Sequence, residues 1–134
     1  MLIHINNKQF TDNSNEANKD TIFVVSKHNE KFKDQALLNG CDNFIEANQL
    51  KDHIDLSGIK IVGITGTNGK TTTAAAIYSF LLDLGYKVAL QGARGFFIND
   101  QRFEDYCLTT PIELVNFEHI YKAKENGCEF FIME

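Results

Sequence analysis

The stretch Gly66-Thr67-Asn68-Gly69-Lys70-Thr71-Thr72 sets an ammonium and two hydroxyls at the end of a run of small residues. An apolar run, residues 59–64, leads into it, and Ala74, Ala75, Ala76, Ile77, Phe80, Leu81 and Leu84 follow at helical spacing. Strand, glycine-rich loop and helix in that order are the setting a phosphate-binding loop requires. Small residues let successive backbone N–H groups turn toward one point. The first turn of the helix adds unpaired N–H groups and the positive end of its dipole. In such a loop Lys70 reaches the β- and γ-phosphates of a nucleotide and the Thr71 hydroxyl ligates Mg²⁺. The general pattern places its first glycine where this chain has Ile64, with Gly63 and Gly66 to either side. The loop therefore belongs to a variant subclass. The plain alternative is a glycine-rich turn that only joins a strand to a helix.

The elements that must position this loop read as α/β. Residues 2–5 form a short strand, residues 6–20 a polar loop, and Thr21–Val25 a buried strand. Residues 31–39 have helical spacing, with Gly40 closing the helix. Residues 41–45 return as a strand, and 49–58 form a linker or a short connecting helix. A second module follows. Its helix runs from the loop to Leu84 with Gly85 past its end, and residues 86–90 give the next strand of a parallel sheet. Residues 91–106 read as loop with a hairpin turn at Asn99-Asp100. Thr110, Pro111 and Glu113 fit a capping box for a helix to Asn126, ended by Gly127. Residues 128–134 read as a buried strand. A carboxylate at the end of a strand beside a phosphate loop can hold the metal that the loop threonine sees, and here that residue is Glu134.

Composition narrows the class. The net charge of −5 gives no global attraction to nucleic acid or to an anionic membrane. No apolar run is long enough to span a bilayer, and residues 1–8 lack the zones of a signal peptide. Cys41, Cys107 and Cys128 have neither disulfide-framework nor metal spacing, and read as reduced buried thiols of a cytoplasmic protein. His4, His28, His53 and His119 show no ligand spacing.

The loop stretch 63–73, Leu108-Thr109-Thr110-Pro111 and Phe131-Ile132-Met133-Glu134 together resemble the Mur ligases, most closely the MurE type. The likeness is specific from Ile59 onward and weaker before it. Where the family has Asp-Ser-Arg, this chain has Asn13-Ser14-Asn15, which keeps the serine but neither charge. The Val-Ser-Ser-His that follows Met-Glu in the family lies outside the chain. The resemblance implies a small N-terminal α/β substrate module, residues 1–55, then the start of a P-loop parallel-sheet ATPase domain, residues 56–134, truncated.

It implies an ATP- and Mg²⁺-dependent amide ligase of peptidoglycan synthesis, acting on UDP-N-acetylmuramoyl-L-Ala-D-Glu and a diamino acid through an acyl phosphate. Gly66, Thr67, Asn68, Gly69, Lys70, Thr71 and Thr72 would hold the nucleotide, with Lys70 neutralising its β- and γ-phosphates. Thr71 and Glu134 would ligate Mg²⁺, and Ser14, Thr109 and Thr110 would contact the sugar-nucleotide substrate. For Ser14 a serine in a polar turn is the equal alternative; for Thr109 and Thr110 local physics favours a helix cap, which is compatible with presenting N–H groups to an anion. The chain by itself is not expected to catalyse ligation. A folylpolyglutamate-type ligase, or a P-loop kinase or GTPase module, stands as the competing reading of the loop.

Overall fold

The computed structural model describes residues 1–105 and 112–134. The chain divides into two compact units, Met1–Asp55 with Glu113–Glu118, and Leu56–Ile112 with His119–Glu134.

In the first unit, strands β1 (Leu2–Ile5), β2 (Lys8–Thr11), β3 (Thr21–Val25) and β4 (Asn43–Glu46) form one sheet in the order β1-β2-β3-β4. β1 and β2 pair antiparallel, and the other pairs are parallel. β2 lies within a stretch that its polar composition marks as loop. Asn6 and Asn7 both have positive φ (49° and 63°), the pair of left-handed residues that a tight hairpin turn needs. They fold Lys8–Thr11 back so that Phe10 is fully buried. Helix α1 (Lys33–Leu38), preceded by a 3₁₀ turn over Glu30–Phe32, ends at Gly40, whose φ is +92°. Ala36 is its buried residue and packs with Ala17, Phe23, Val25 and Cys41. A 3₁₀ segment over Ala47–His53 carries a capping box between Glu46 and Gln49.

An ion cluster closes one side of this sheet. The Met1 ammonium lies 2.8 Å from Asp12 Oδ1 and 2.9 Å from Glu16 Oε2, and Thr11 Oγ1 donates to Glu16. Burial works to lower the ammonium's pKa, but hydrogen bonds to Asp12 and Glu16 outweigh it and leave it above 8.0. The hydrogen bond to that ammonium, then the one from Thr11, holds Glu16 below 4.5. The cluster's contribution is therefore full between those values. It is lost as pH falls through the folded pKa of Glu16, and again as pH rises through that of the ammonium. The pair is partly exposed, so its worth is below about 1 kcal/mol. The stability gap between the native chain and Glu16→Gln, measured by urea unfolding, is expected to be flat from pH 5 to pH 7.5 and to shrink outside that window, the range bounded by the ordinary pKa values. A pH-independent gap would show that the cluster is not its source.

The second unit holds β5 (Lys60–Gly63), α2 (Lys70–Asp83), β6 (Val88–Gly92), β7 (Gly95–Ile98), β8 (Gln101–Glu104) and β9 (Phe130–Met133). α3 (Glu113–Glu125) contributes its residues from His119 onward. The sheet order is β5-β9-β6-β7-β8. β9 enters last and pairs parallel to both β5 and β6. Residues 91–106, expected as loop, instead complete β6 and supply β7 and β8, both antiparallel. The glycines at 92 and 95 mark only the first turn there, and Phe96 and Ile98 are buried on one face. The hairpin turn at Asn99-Asp100 is present, with Asn99 at φ 53°.

Period-two alternation sends side chains to two cores. Ala89, Phe96, Ile98 and Phe131 pack with Ile59, Ile120, Ala123 and Cys128. Val88, Leu90 and Ile132 pack with Ala74, and with Ile77, Tyr78 and Leu81 on α2. His119 is fully buried in the first core. Its ring stacks on Phe96, and its nitrogens lie 2.7 Å from Gln91 Oε1 and 3.2 Å from Glu104 Oε1. Cys41 and Cys128 are free, buried thiols, and burial pushes that of Cys128 up to about 11. α2 ends at Asp83, with Leu84 as its C-cap and Gly85 beyond it, where its sequence predicts a stop. α3 begins later than the capping-box reading: Glu113 is its first residue and the extended Ile112 its N-cap, with no side-chain cap. Thr110 and Pro111 of that reading lie outside the described residues. No helix among the described residues is long and apolar enough to cross a membrane.

Candidate active site

The site forms where β5 ends and α2 begins. The Ile64 N–H donates to the Met133 carbonyl (2.8 Å), extending the β5–β9 pairing into the loop. Gly66 (φ 147°) and Gly69 (φ 80°) then take conformations that side chains disfavour. Gly69 is the N-cap of α2, and as glycine it offers no side chain to the first-turn N–H groups. Those groups are left to serve an anion. Lys70 Nζ donates to the Gly66 carbonyl (2.6 Å), holding the ammonium over the loop. Gly63, Ile64, Thr65, Gly66, Lys70, Met133 and Glu134 line a cavity of about 640 Å³ beside it.

The Thr71 hydroxyl donates to Glu134 Oε2 at 2.9 Å, across 63 residues of sequence. Insertion of β9 next to β5 is what brings them together. Both donors are hard oxygens. Hard oxygens are the ligand type that Mg²⁺ takes. Among the described residues no group of three or more His, Cys, Asp or Glu gathers to hold a metal, at this site or any other.

Of the residues singled out from sequence, Gly66, Lys70, Thr71 and Glu134 converge here. Thr67, Asn68 and Gly69 are exposed on the loop, and Thr72 is exposed on the first turn of α2. Ser14 belongs to the first unit, in the turn after β2. It is nearly buried, and its carbonyl accepts from Asn39 Nδ2 at 2.7 Å. Thr109 and Thr110 lie outside the described residues. Sequence reasoning did not name Gly63, Ile64, Thr65 and Met133 as lining residues, nor Gly92 as a neighbour of Glu134. Residues 63–65 lie within the loop stretch itself, whereas only sheet order reveals Met133 and Gly92.

A mixed sheet in which one of three parallel strands feeds a glycine loop and helix, with a carboxylate just past the adjoining strand against the helix threonine, defines a P-loop-type α/β domain. A family model, the Mur ligase middle domain, matches residues 64–134. The chain belongs to the Mur ligase family.

It is 48% identical over 124 residues to the UDP-N-acetylmuramoyl-L-alanyl-D-glutamate--2,6-diaminopimelate ligase of Wolinella succinogenes, covering 92% of this chain and 28% of that protein. The protein of the same name from Helicobacter pylori is 46% identical over 133 residues, with the same coverage. The one from Helicobacter hepaticus is 49% identical over 117 residues, 84% of this chain and 25% of that protein. The chain thus spans little more than a quarter of the length of these relatives. A solved structure of a ligase of that name superposes with a TM-score of 0.70 at 21% identity, over 92% of this chain and 31% of that one, a likeness of fold. These relatives favour the cell-wall ligase reading over a folate-type ligase, a kinase or a GTPase.

Proposed function

We propose that the chain is the sugar-nucleotide and ATP-gripping part of a ligase that adds a diamino acid to UDP-N-acetylmuramoyl-L-Ala-D-Glu in the cytoplasm. The relatives' names point to 2,6-diaminopimelate as that diamino acid. The observation that carries the reading is the Thr71–Glu134 oxygen pair at the mouth of a cavity whose rim holds Lys70. Residues 1–55 serve the uridine-nucleotide substrate, with Ser14 a contact. Residues 56–134 open the ATP-binding domain. Thr109 and Thr110 are assigned to the muramoyl-dipeptide on family likeness.

In the reaction a substrate carboxylate attacks the γ-phosphorus of ATP, giving an acyl phosphate and ADP. The amine then displaces phosphate to form the amide. Two anions must be held in line, so charge neutralisation matters more here than an acid or a base. Lys70 supplies a cation to the β- and γ-phosphates, and Gly66, Thr67, Asn68, Gly69 and Thr72 present backbone and hydroxyl donors. Mg²⁺, held by Thr71 and Glu134, would offset phosphate charge; its remaining ligands are ordinarily water and phosphate oxygens.

Amide-resolved NMR titration tests this. With UDP-N-acetylmuramoyl-L-Ala-D-Glu, shifts are expected around Ser14 and around Thr109 and Thr110; with Mg·ATP, across residues 66–72. ATP shifts with no response to the sugar nucleotide would leave a working phosphate loop but overturn the substrate assignment.

A further inference from the structure

Gly92, the last residue of β6, has no backbone reason to be glycine: unlike Gly66, Gly69 and Gly95, its φ is not in the left-handed region. What it lacks is room. A Cβ built there falls 2.6 Å from Cδ of Glu134 and 2.9 Å from its Cγ, and overlaps Oε1. Gly63, at the end of β5 and also without positive φ, has nothing within 4 Å of such an atom. The neighbouring pairing explains the proximity. Gln91 stands opposite Met133 in the parallel register, and the Glu134 N–H donates to the Gln91 carbonyl at 3.1 Å. The bare backbone of residue 92 therefore lies directly under the Glu134 side chain, while the other carboxylate oxygen, Oε2, receives the Thr71 hydroxyl.

We propose that Gly92 is a positioning residue for the phosphate site: its missing side chain is the space in which the Glu134 carboxylate sits to meet Thr71. The inference rests on the reading of Glu134 as a Mg²⁺ ligand and adds the group that aims it. Among the described residues the three atoms nearest a methyl at 92 all belong to the flexible Glu134 side chain, so Gly92→Ala is expected to fold with Glu134 yielding. The carboxylate then swings off Thr71.

The test measures ATP affinity of this chain by calorimetry, with and without Mg²⁺, for the native chain, Gly92→Ala, Glu134→Ala and the double variant. In Gly92→Ala the tightening that Mg²⁺ brings is expected to fall about 10- to 100-fold, the range seen when groups that orient a metal ligand are changed. Metal-free ATP affinity and the melting temperature stay near native. In the Glu134→Ala background the same exchange has no further effect, because nothing remains to be displaced. A merely structural glycine would instead lower metal-free affinity and stability in both backgrounds. Equal Mg²⁺ tightening in Gly92→Ala and the native chain, or an equal loss with and without Glu134, overturns the proposal. If Glu134→Ala keeps the Mg²⁺ effect, the ligand reading fails separately. The Glu134 side-chain carboxyl ¹³C shift, moved in Gly92→Ala or not, then still decides the placement.

Discussion

Lys70→Met is expected to bind Mg·ATP about 10- to 150-fold more weakly than the native chain, with an unchanged melting temperature. The magnitude follows from removing hydrogen bonds to a charged group, about 1.5–3 kcal/mol, which converts to that range in Kd. Methionine keeps the unbranched stem and its packing against the loop, and takes away only the charge. The ammonium donates to the Gly66 carbonyl, 2.6 Å away and within the loop itself. No partner in the hydrophobic cores is orphaned by its loss, so fold stability has no reason to fall. The backbone N–H groups of the loop and the dipole of α2 remain in Lys70→Met, which is why affinity drops without vanishing. Calorimetry with Mg·ATP and a thermal melt check both halves. An unchanged Kd would remove Lys70 from the triphosphate site, and a large drop in melting temperature would mean that the ammonium is structural.

Parts of this fold were legible because their signals are local. The strand into the loop, the loop glycines, the end of α2 at Gly85 and the Asn99-Asp100 turn each depend on a few adjacent residues. The helix after Ile112 was legible in kind but not in start. β2, β7 and β8 were not legible. Each is four residues long with asparagine or aspartate on at least one side, so composition favours loop. Burial of Phe10 makes β2 a strand and burial of Phe96 and Ile98 makes β7 one, while β8 joins by pairing with β7. The site divides the same way. Lys70 and Thr71 can be read from the loop. That Glu134 would reach Thr71 needs β9 to settle beside β5, a long-range choice that a general rule about neighbouring strands anticipates but local pattern does not. Gly92 lay beyond sequence reading altogether, since a glycine with ordinary φ looks like any turn residue until its neighbour is known.

Phe131→Ala is expected to cost the second unit about 3–5 kcal/mol, the range for emptying a buried aromatic site. Against a typical domain stability of about 5–15 kcal/mol this is a large share. Phe131 is fully buried among Ile59, Ala89, Phe96, Ile98, Ile120, Ala123 and Cys128, with its ring 6.3 Å from that of Phe96. Its strand is the one that joins β5 to β6, so a cavity there loosens both pairings at once. Glu134 stands immediately beyond β9, and the Ile64 N–H bond to Met133 anchors the loop to the same strand. Loss of β9 order therefore weakens nucleotide binding as a consequence of unfolding. Urea unfolding reads the shift in midpoint, and ATP titration at temperatures where Phe131→Ala is still folded reads the site. Affinity near native in that folded fraction, together with a strongly lowered midpoint, is the expected pair. A midpoint shift worth less than about 1 kcal/mol, below the range for cavity-forming substitutions, would mean that the core closes around the gap and that β9 is held chiefly by its backbone pairing. Phe131→Leu, which fills most of the volume, should recover much of the loss if packing is the cause.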